Sequence, residues 1–397
     1  MTERCIPRTG TARPPAWGSR RRLSRRRSDS SATTRASLQL VCYCRGGQWS
    51  PPLFVASGDR LAPLCSQRPN TAHDEVDPVK YRQLGSTGVR VSEVSLGTGG
   101  QFGGRVDREA VRRIVAAAID SGINYIDTAN IYGDGRSEEY LGPAIEGVRH
   151  QIVLGSKGMQ RTGPGQNDWG ASRYNLMNAL EASLRRLRTD HLDLYQVHLF
   201  DPTTPMEETM RTLEDMVRSG KVRYVGASQY QAWQVCRSNS IAERYGWAQF
   251  ATTQVHYHLL ERECEREMVP FCRATGVGIL AFFPLAAGLL AGRYRLGEPY
   301  PEDSRAAAFD RTRRYLERYG TPANFAVIDR LTAWAQERNH TLGELAIAWL
   351  LTEPSVSSVV VGASKPDHVT ANAVASDWQL TPEEAAQVRA IVEATGV

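Results

Sequence analysis

The sequence predicts an α/β chain folded as a (β/α)8 TIM barrel, and three observations carry that prediction. From Val89 onward, short β-rich runs alternate with longer amphipathic runs, the pattern of βαβ units on a parallel sheet. The β-rich runs number eight within about 300 residues, which fits one closed barrel. The main competitor, a doubly wound sheet, would need its glycine fingerprint at Gly97-Thr98-Gly99-Gly100-Gln101-Phe102, where Phe102 stands in place of the third glycine.

The expected strands are Val91 to Leu96, Asn124 to Thr128, Ile152 to Ser156, Leu192 to His198, Val222 to Ala227, Thr252 to His256, Gly278 to Phe283 and Val356 to Val361. The helices between them have marked ends. Asp107 can cap a helix carrying Val111, Ile114, Val115, Ala118 and Ile119, and Gly122 suits its stop. Leu176, Leu180, Leu184 and Leu187 form one apolar stripe at helical spacing. Thr204-Pro205-Met206-Glu207 places Thr at N-cap, Pro at N1 and Glu at N3. Thr381-Pro382-Glu383-Glu384 repeats that pattern, and Thr341-Leu342-Gly343-Glu344 is a third box of this kind.

The first 78 residues read differently. Residues 1–72 hold 13 Arg and no Lys against only Glu3, Asp29 and Asp59, a net charge of +10. Taking this from the whole-chain +5 leaves −5 for the rest. The stretch is rich in Ser, Pro and Gly, contains Arg20-Arg21-Arg22-Leu23-Ser24-Arg25-Arg26-Arg27, and lacks a sustained apolar period, so residues 1–78 are expected to be a disordered basic extension of a barrel over residues 79–397. Three accounts of it stay open: a misassigned start, an organellar transit peptide, or a basic arm for nucleic acid. After Met1 the next methionine is Met159, inside the fold, whereas ordered sequence begins at Val79.

Composition excludes other classes. No run of about 18 apolar residues occurs, so no membrane span is expected. Cys5, Cys42, Cys44 and Cys65 lie in the extension, and Cys236, Cys264 and Cys272 are scattered through the body without CxxC spacing. That argues for a reducing compartment, with no structural zinc.

In a barrel, chemistry sits where strands end. Asp127 ends the second strand, Lys157 the third and His198 the fourth, and Tyr132 follows Asp127 by five residues. A free phenol has a pKa near 10 and donates its proton slowly at neutral pH. A lysine ammonium beside it stabilises the phenolate, Asp127 would keep Lys157 charged and aimed, and His198 could place a substrate oxygen near Tyr132. The set suits proton delivery to a carbonyl oxygen while hydride reaches the carbon. A blander account stays open for each: an ion pair holding loops, a packed ring, a satisfied core imidazole.

These residues resemble the aldo-keto reductases. The resemblance rests on Asn124-Tyr125-Ile126-Asp127-Thr128-Ala129 through Tyr132-Gly133, with Ser137-Glu138 and Leu141-Gly142 after it. Asp193-Leu194-Tyr195-Gln196-Val197-His198 with Asp201-Pro202 carries it further, as does Gly220-Lys221-Val222-Arg223-Tyr224-Val225-Gly226-Ala227-Ser228. It covers about residues 80 to 395. The loop Tyr132-Gly133-Asp134-Gly135-Arg136-Ser137-Glu138 is closer to the bacterial and potassium-channel β-subunit branch than to the mammalian one.

The resemblance implies a barrel with a short N-terminal hairpin closing its base, NADPH (NADP+) as cofactor and no metal. Tyr132 would be the general acid, Lys157 and Asp127 its tuning pair, and His198 the orienting donor. Ser228, Gln229 and Gln254 would hold the nicotinamide carboxamide. Phe282, before Pro284 and Leu285, would stack on the ring. Gly362, Ser364, Lys365, His368 and Asn372 match the adenosine-phosphate segment, and Lys365 with Ser364 beside a helix start at Pro366 suits a 2′-phosphate. Departures are Gln229 for the usual Asn, Phe282 for the usual Tyr, Phe283 for a small residue, and His368 for the usual Gln. The stretch from 293 to 324, with Arg293, Arg295, Arg305, Arg311, Arg313 and Arg314, would fold over the pyrophosphate or stay solvated.

The expectation is therefore an NADP-dependent, cytoplasmic carbonyl reductase acting on a small-molecule aldehyde or ketone, with no nucleic-acid or membrane partner. If residues 1–78 are a transit peptide, its place is an organelle instead. Two rivals accompany it. The channel-subunit branch allows an NADPH-binding regulatory subunit with little turnover. His256-Tyr257-His258 sets two imidazoles on one strand face, the start of a metal-hydrolase site.

Overall fold

The computed structural model describes residues 79–302 and 304–394, so every reading of residues 1–78 lies outside the described residues. In chain order the elements are β1 (Tyr81–Gln83), β2 (Arg90–Ser92), β3 (Val94–Gly97), α1 (Arg108–Asp120), β4 (Tyr125–Asp127), α2 (Arg136–Ile145) and β5 (Val153–Gly158). There follow α3 (Arg173–Leu187), β6 (Leu192–Val197), α4 (Met206–Arg218), β7 (Val222–Ser228), α5 (Ala232–Tyr245), β8 (Phe250–His256), α6 (Met268–Thr275) and β9 (Gly278–Phe282). The last are α7 (Arg305–Ala308), α8 (Asp310–Tyr319), α9 (Pro322–Gln336), α10 (Leu342–Leu351), β10 (Val356–Gly362), α11 (Pro366–Val374) and α12 (Pro382–Glu393).

Strands β3 to β9 pair in sequence order, all parallel, and β10 closes the ring between β9 and β3. This is the expected (β/α)8 barrel. Its strands are buried on both faces, so they read as continuous apolar runs such as Val359-Val360-Val361. The large core lies between the barrel and the surrounding helices.

Hairpin β1–β2 is antiparallel, and it fills the base of the barrel. Leu84 and Val91 of the hairpin pack inside with Tyr125, Leu194, Leu280 and Val360. Gly85 makes this approach possible: at φ +59, a Cβ there would run into the Ala251 carbonyl oxygen.

The run expected as one strand from Val91 to Leu96 is split. Arg90–Ser92 belongs to the hairpin and Val94–Gly97 to the barrel. Between them, Glu93 binds Arg82 Nε through Oε1 at 2.6 Å and donates its backbone N–H to Lys80 O at 2.8 Å, turning the chain.

The expected caps at Asp107, Thr341 and Thr381 form, the last two as full capping boxes with Glu344 and Glu384. The expected cap at Thr204 does not. Its hydroxyl donates to Asp201 Oδ2 at 2.7 Å, and α4 starts one residue later after Pro205. Asp201 also accepts from Ala171 N and Thr203, so it ties together the loops after β5 and β6. The arginine-rich stretch after β9 is not a bare loop, since it contains α7 and α8. Among the described residues no helix is long and apolar enough to cross a membrane.

Candidate active site

Successive side chains in a strand alternate, so Tyr125 and Asp127 at the end of β4 point to the same face. Asp127 pairs in register with Gly155 of β5. A Cβ at Gly155 would lie 2.7 Å from the Tyr125 hydroxyl, so the glycine makes room for that ring. Two residues beyond, Lys157 is wholly buried. Its Nζ donates to Asp127 Oδ2 at 2.6 Å and to Thr128 O at 2.8 Å.

Oδ1 of Asp127 is equally well provided. It accepts from Tyr125 OH at 3.1 Å, Gln254 Nε2 at 3.1 Å and Gln196 Nε2 at 3.3 Å. A buried carboxylate with a cation and three neutral donors keeps its charge at low cost. Burial opposes the charge on Lys157, but Asp127 and Tyr132 outweigh it and raise its pKa. The sequence reading missed Tyr125 and Gln196. Each stands two positions before a candidate residue, Asp127 and His198, and that period was the available signal.

Tyr132 sits half-buried in the loop after β4, where Gly133, Asp134 and Gly135 all have positive φ. That tight coil brings its ring to 5.3 Å from Lys157 Nζ and edge-on to His198, with centroids 5.7 Å apart at 83°. Burial raises the phenol pKa and Lys157 lowers it, with burial the stronger, so the net shift is upward from 10. The ammonium moderates the phenol and does not make it acidic. The phenol therefore carries its proton at neutral pH.

His198 follows β6 directly, its N–H bonded to Gly158 O at 3.0 Å. Burial, then the charges of Lys157 and Arg311, press its pKa down to about 2. The imidazole is neutral, and its buried Nδ1 has no hydrogen-bond partner among the described residues.

Asp127, Tyr132 and His198 open into a cavity of about 1370 Å³ that runs to α11. Gln229, Gln254, Phe282, Pro284, Leu285, Gly362, Ser364, Lys365, His368 and Asn372 line the same cavity. Lys157 and Ser228 are buried and not part of its lining, and the Ser228 Oγ has no hydrogen-bond partner among the described residues. Ordinary ligand pockets hold roughly 300–1,000 Å³, so this one has room for a dinucleotide and a small substrate together. Its shape also fits that ligand. Gly99 presents bare backbone against the Tyr132 ring, and Arg305 lies against Gly100, its Cζ 5.7 Å from the Phe283 centroid. The start of α11 has Pro366 in its first turn and no side-chain cap, with Ser364 Oγ 3.3 Å from His368 Nδ1. The residues present fit a nicotinamide dinucleotide.

His256 and His258 turn both Nε2 atoms onto the Tyr315 hydroxyl, at 3.2 and 2.6 Å. The ring of His256 also stacks on Phe282. Among the described residues no group of three or more His, Cys, Asp or Glu could hold a metal ion.

A family model described as "Aldo/keto reductase family" matches residues 93–393. A "Probable voltage-gated potassium channel subunit beta" of Oryza sativa subsp. japonica is 35% identical over 327 residues, 79% of this chain and 97% of that one. "Versiconal hemiacetal acetate reductase" of Aspergillus parasiticus is 33% identical, over 77% of this chain and 95% of its own length. "Uncharacterized oxidoreductase YrpG" of Bacillus subtilis is 36% identical, over 72% of this chain and 87% of its own.

Proposed function

The chain belongs to the aldo/keto reductase family, and from that premise we propose that it is an NADP-dependent carbonyl reductase with Tyr132 as its proton donor. The observation that carries this reading is the buried Lys157–Asp127 pair at 2.6 Å, set beneath the Tyr132 ring. NADPH, when bound, supplies the hydride that ends on the carbonyl carbon.

The chain's own residues do the rest. Tyr132 delivers its proton to the carbonyl oxygen as charge develops there. Lys157, kept charged by Asp127, stabilises the phenolate left behind. Neutral His198 donates to the same oxygen and fixes its position. Ser228, Gln229 and Gln254 hold the carboxamide, Phe282 backs the ring, and Ser364 and Lys365 take the 2′-phosphate, with Gly362, His368 and Asn372 around the adenosine.

The identity with the rice protein favours a second reading, an NADPH-binding regulatory subunit with little turnover. Consumption of NADPH by the full chain, tested with small aldehydes, ketones, sugars and pyridoxal, separates the two. Turnover that Tyr132→Phe lowers by about 10²–10⁴ while NADPH binding stays nearly intact supports the reductase. Tight NADPH binding without turnover supports the regulatory subunit.

A further inference from the structure

One wall of the cavity that holds Tyr132 and His198 is built by α8. Arg311, Arg314, Tyr315, Arg318 and Tyr319 recur at helical spacing on one face of that helix, and all line the cavity. The face is held in place. The Tyr315 hydroxyl meets both His258 and His256, its ring centroid lies 5.5 Å from that of Phe283, and Tyr319 stacks on it at 4.5 Å.

Arg311 and Arg314 are left over. Neither has a hydrogen bond or an ion pair among the described residues, whereas Arg318 meets Glu261 at 3.7 Å and lies over Tyr319. The one carboxylate among the described residues lining this cavity is Asp127, and Lys157 holds it. Arg305 lies against Gly100 and donates to the Gly99 carbonyl, and Lys365 stands at the start of α11. The charge of Arg311 reaches both His198 and Tyr132, adding to the downward shift of the imidazole and partly offsetting the upward shift of the phenol. Uncompensated cations on an aromatic-walled cleft concentrate anions there.

We infer that the substrate carries an anionic group, a carboxylate or a phosphate, beyond its carbonyl, received by Arg311 and Arg314. This rests on the reductase reading for the carbonyl, but not for the anion site itself.

The test compares 4-carboxybenzaldehyde with 4-methylbenzaldehyde as substrates of the full chain, and benzoate with benzamide as ligands of its NADP+ complex by calorimetry. A preference in kcat/KM of about tenfold or more for the carboxylated aldehyde is expected, the contribution of one charge-assisted hydrogen bond. It should shrink with added salt and collapse in the Arg311→Ala/Arg314→Ala variant, with part retained in Arg311→Lys. Equal kcat/KM for the two aldehydes overturns the inference. So does a variant that loses NADPH affinity while keeping the native preference between the aldehydes, since the arginines then serve the cofactor's phosphates. If no aldehyde turns over, binding decides: benzoate preferred by the native chain but not the variant upholds the anion site while the reductase reading fails, and equal binding of benzoate and benzamide overturns both.

Discussion

Lys157 Nζ lies 2.6 Å from Asp127 Oδ2 and 5.3 Å from the centre of the Tyr132 ring, with no exposure to solvent. One cation is thus shared between a carboxylate that holds it and a phenol that it moderates. Asp127 has four donors in all, so it would stay anchored if Lys157 lost its charge.

Lys157→Met keeps the length of the side chain and removes the charge. On the proposed mechanism kcat should fall by about 10² or more, because the phenolate loses its cation. The variant also leaves Asp127 without its counter-ion, a loss of about 3–5 kcal/mol for a buried pair. Circular dichroism and NADPH binding therefore accompany the rate measurement. A folded, NADPH-binding variant with unchanged kcat would remove Lys157 from the chemistry.

The pH profile follows from two shifts. His198, with its pKa near 2, does not titrate in the neutral range, and Tyr132, shifted upward from 10, stays protonated there. At saturating NADPH the reduction rate should be flat between about pH 7 and pH 9 and fall only as the phenol ionises above its ordinary value. A break near pH 6.5 in steady-state rates would mean that His198 titrates and is not held neutral.

The same burial has a stability consequence of opposite reach. His198 and His256 have folded pKa values of about 2 and about 4, below the ordinary 6.5. Between those values and 6.5 the unfolded chain binds more protons, so stability is full above pH 6.5 and declines as pH falls below it. Urea midpoints measured from pH 8 to pH 4 should decrease over the lower part of that range, and a midpoint rising on acidification would contradict the neutral, buried imidazoles.

The barrel and the four clustered residues were legible because strand period and polar strand ends are local signals. Asp127, Lys157 and His198 each close an apolar run, and no longer-range knowledge was needed to bring them together. The break at Glu93 was not legible: the alternation of Val91 to Leu96 runs through it, and the turn comes from Arg82 eleven residues away. The cavity face of α8 was still less so. Its arginines look like those of any solvated loop until Tyr315 is seen to reach His258 across 57 residues.

Glu138 tests the frame beneath the site. Its side chain is wholly buried; Oε1 accepts from Ser156 Oγ at 2.6 Å and Oε2 pairs with Arg186 at 2.7 Å, joining α2 to β5 and α3. Ser156 immediately precedes Lys157, so this carboxylate steadies the strand that carries the lysine. Glu138→Ala leaves Ser156 and Arg186 without it and should destabilise the fold by about 3–5 kcal/mol. A change under about 0.5 kcal/mol in the unfolding free energy from urea titration, the size of an ordinary surface effect, would mean that Arg186 simply swings into solvent.

Lys365 is exposed at the start of α11, next to Ser364, and lines the same cavity as Tyr132. Burial lowers the pKa of His368 one turn on, and Lys365 and Arg293 lower it further, so His368 adds no charge of its own at neutral pH. The cation proposed to meet the 2′-phosphate is then chiefly Lys365. Lys365→Ala should weaken NADPH by roughly tenfold, one charge-assisted contact, and NADH, which lacks that phosphate, much less. Dissociation constants for both nucleotides, by fluorescence quenching, check this. Equal weakening of the two would move Lys365 to the pyrophosphate or the adenine, and no weakening of either would leave Ser364 and the uncapped helix N–H groups as the phosphate's hold.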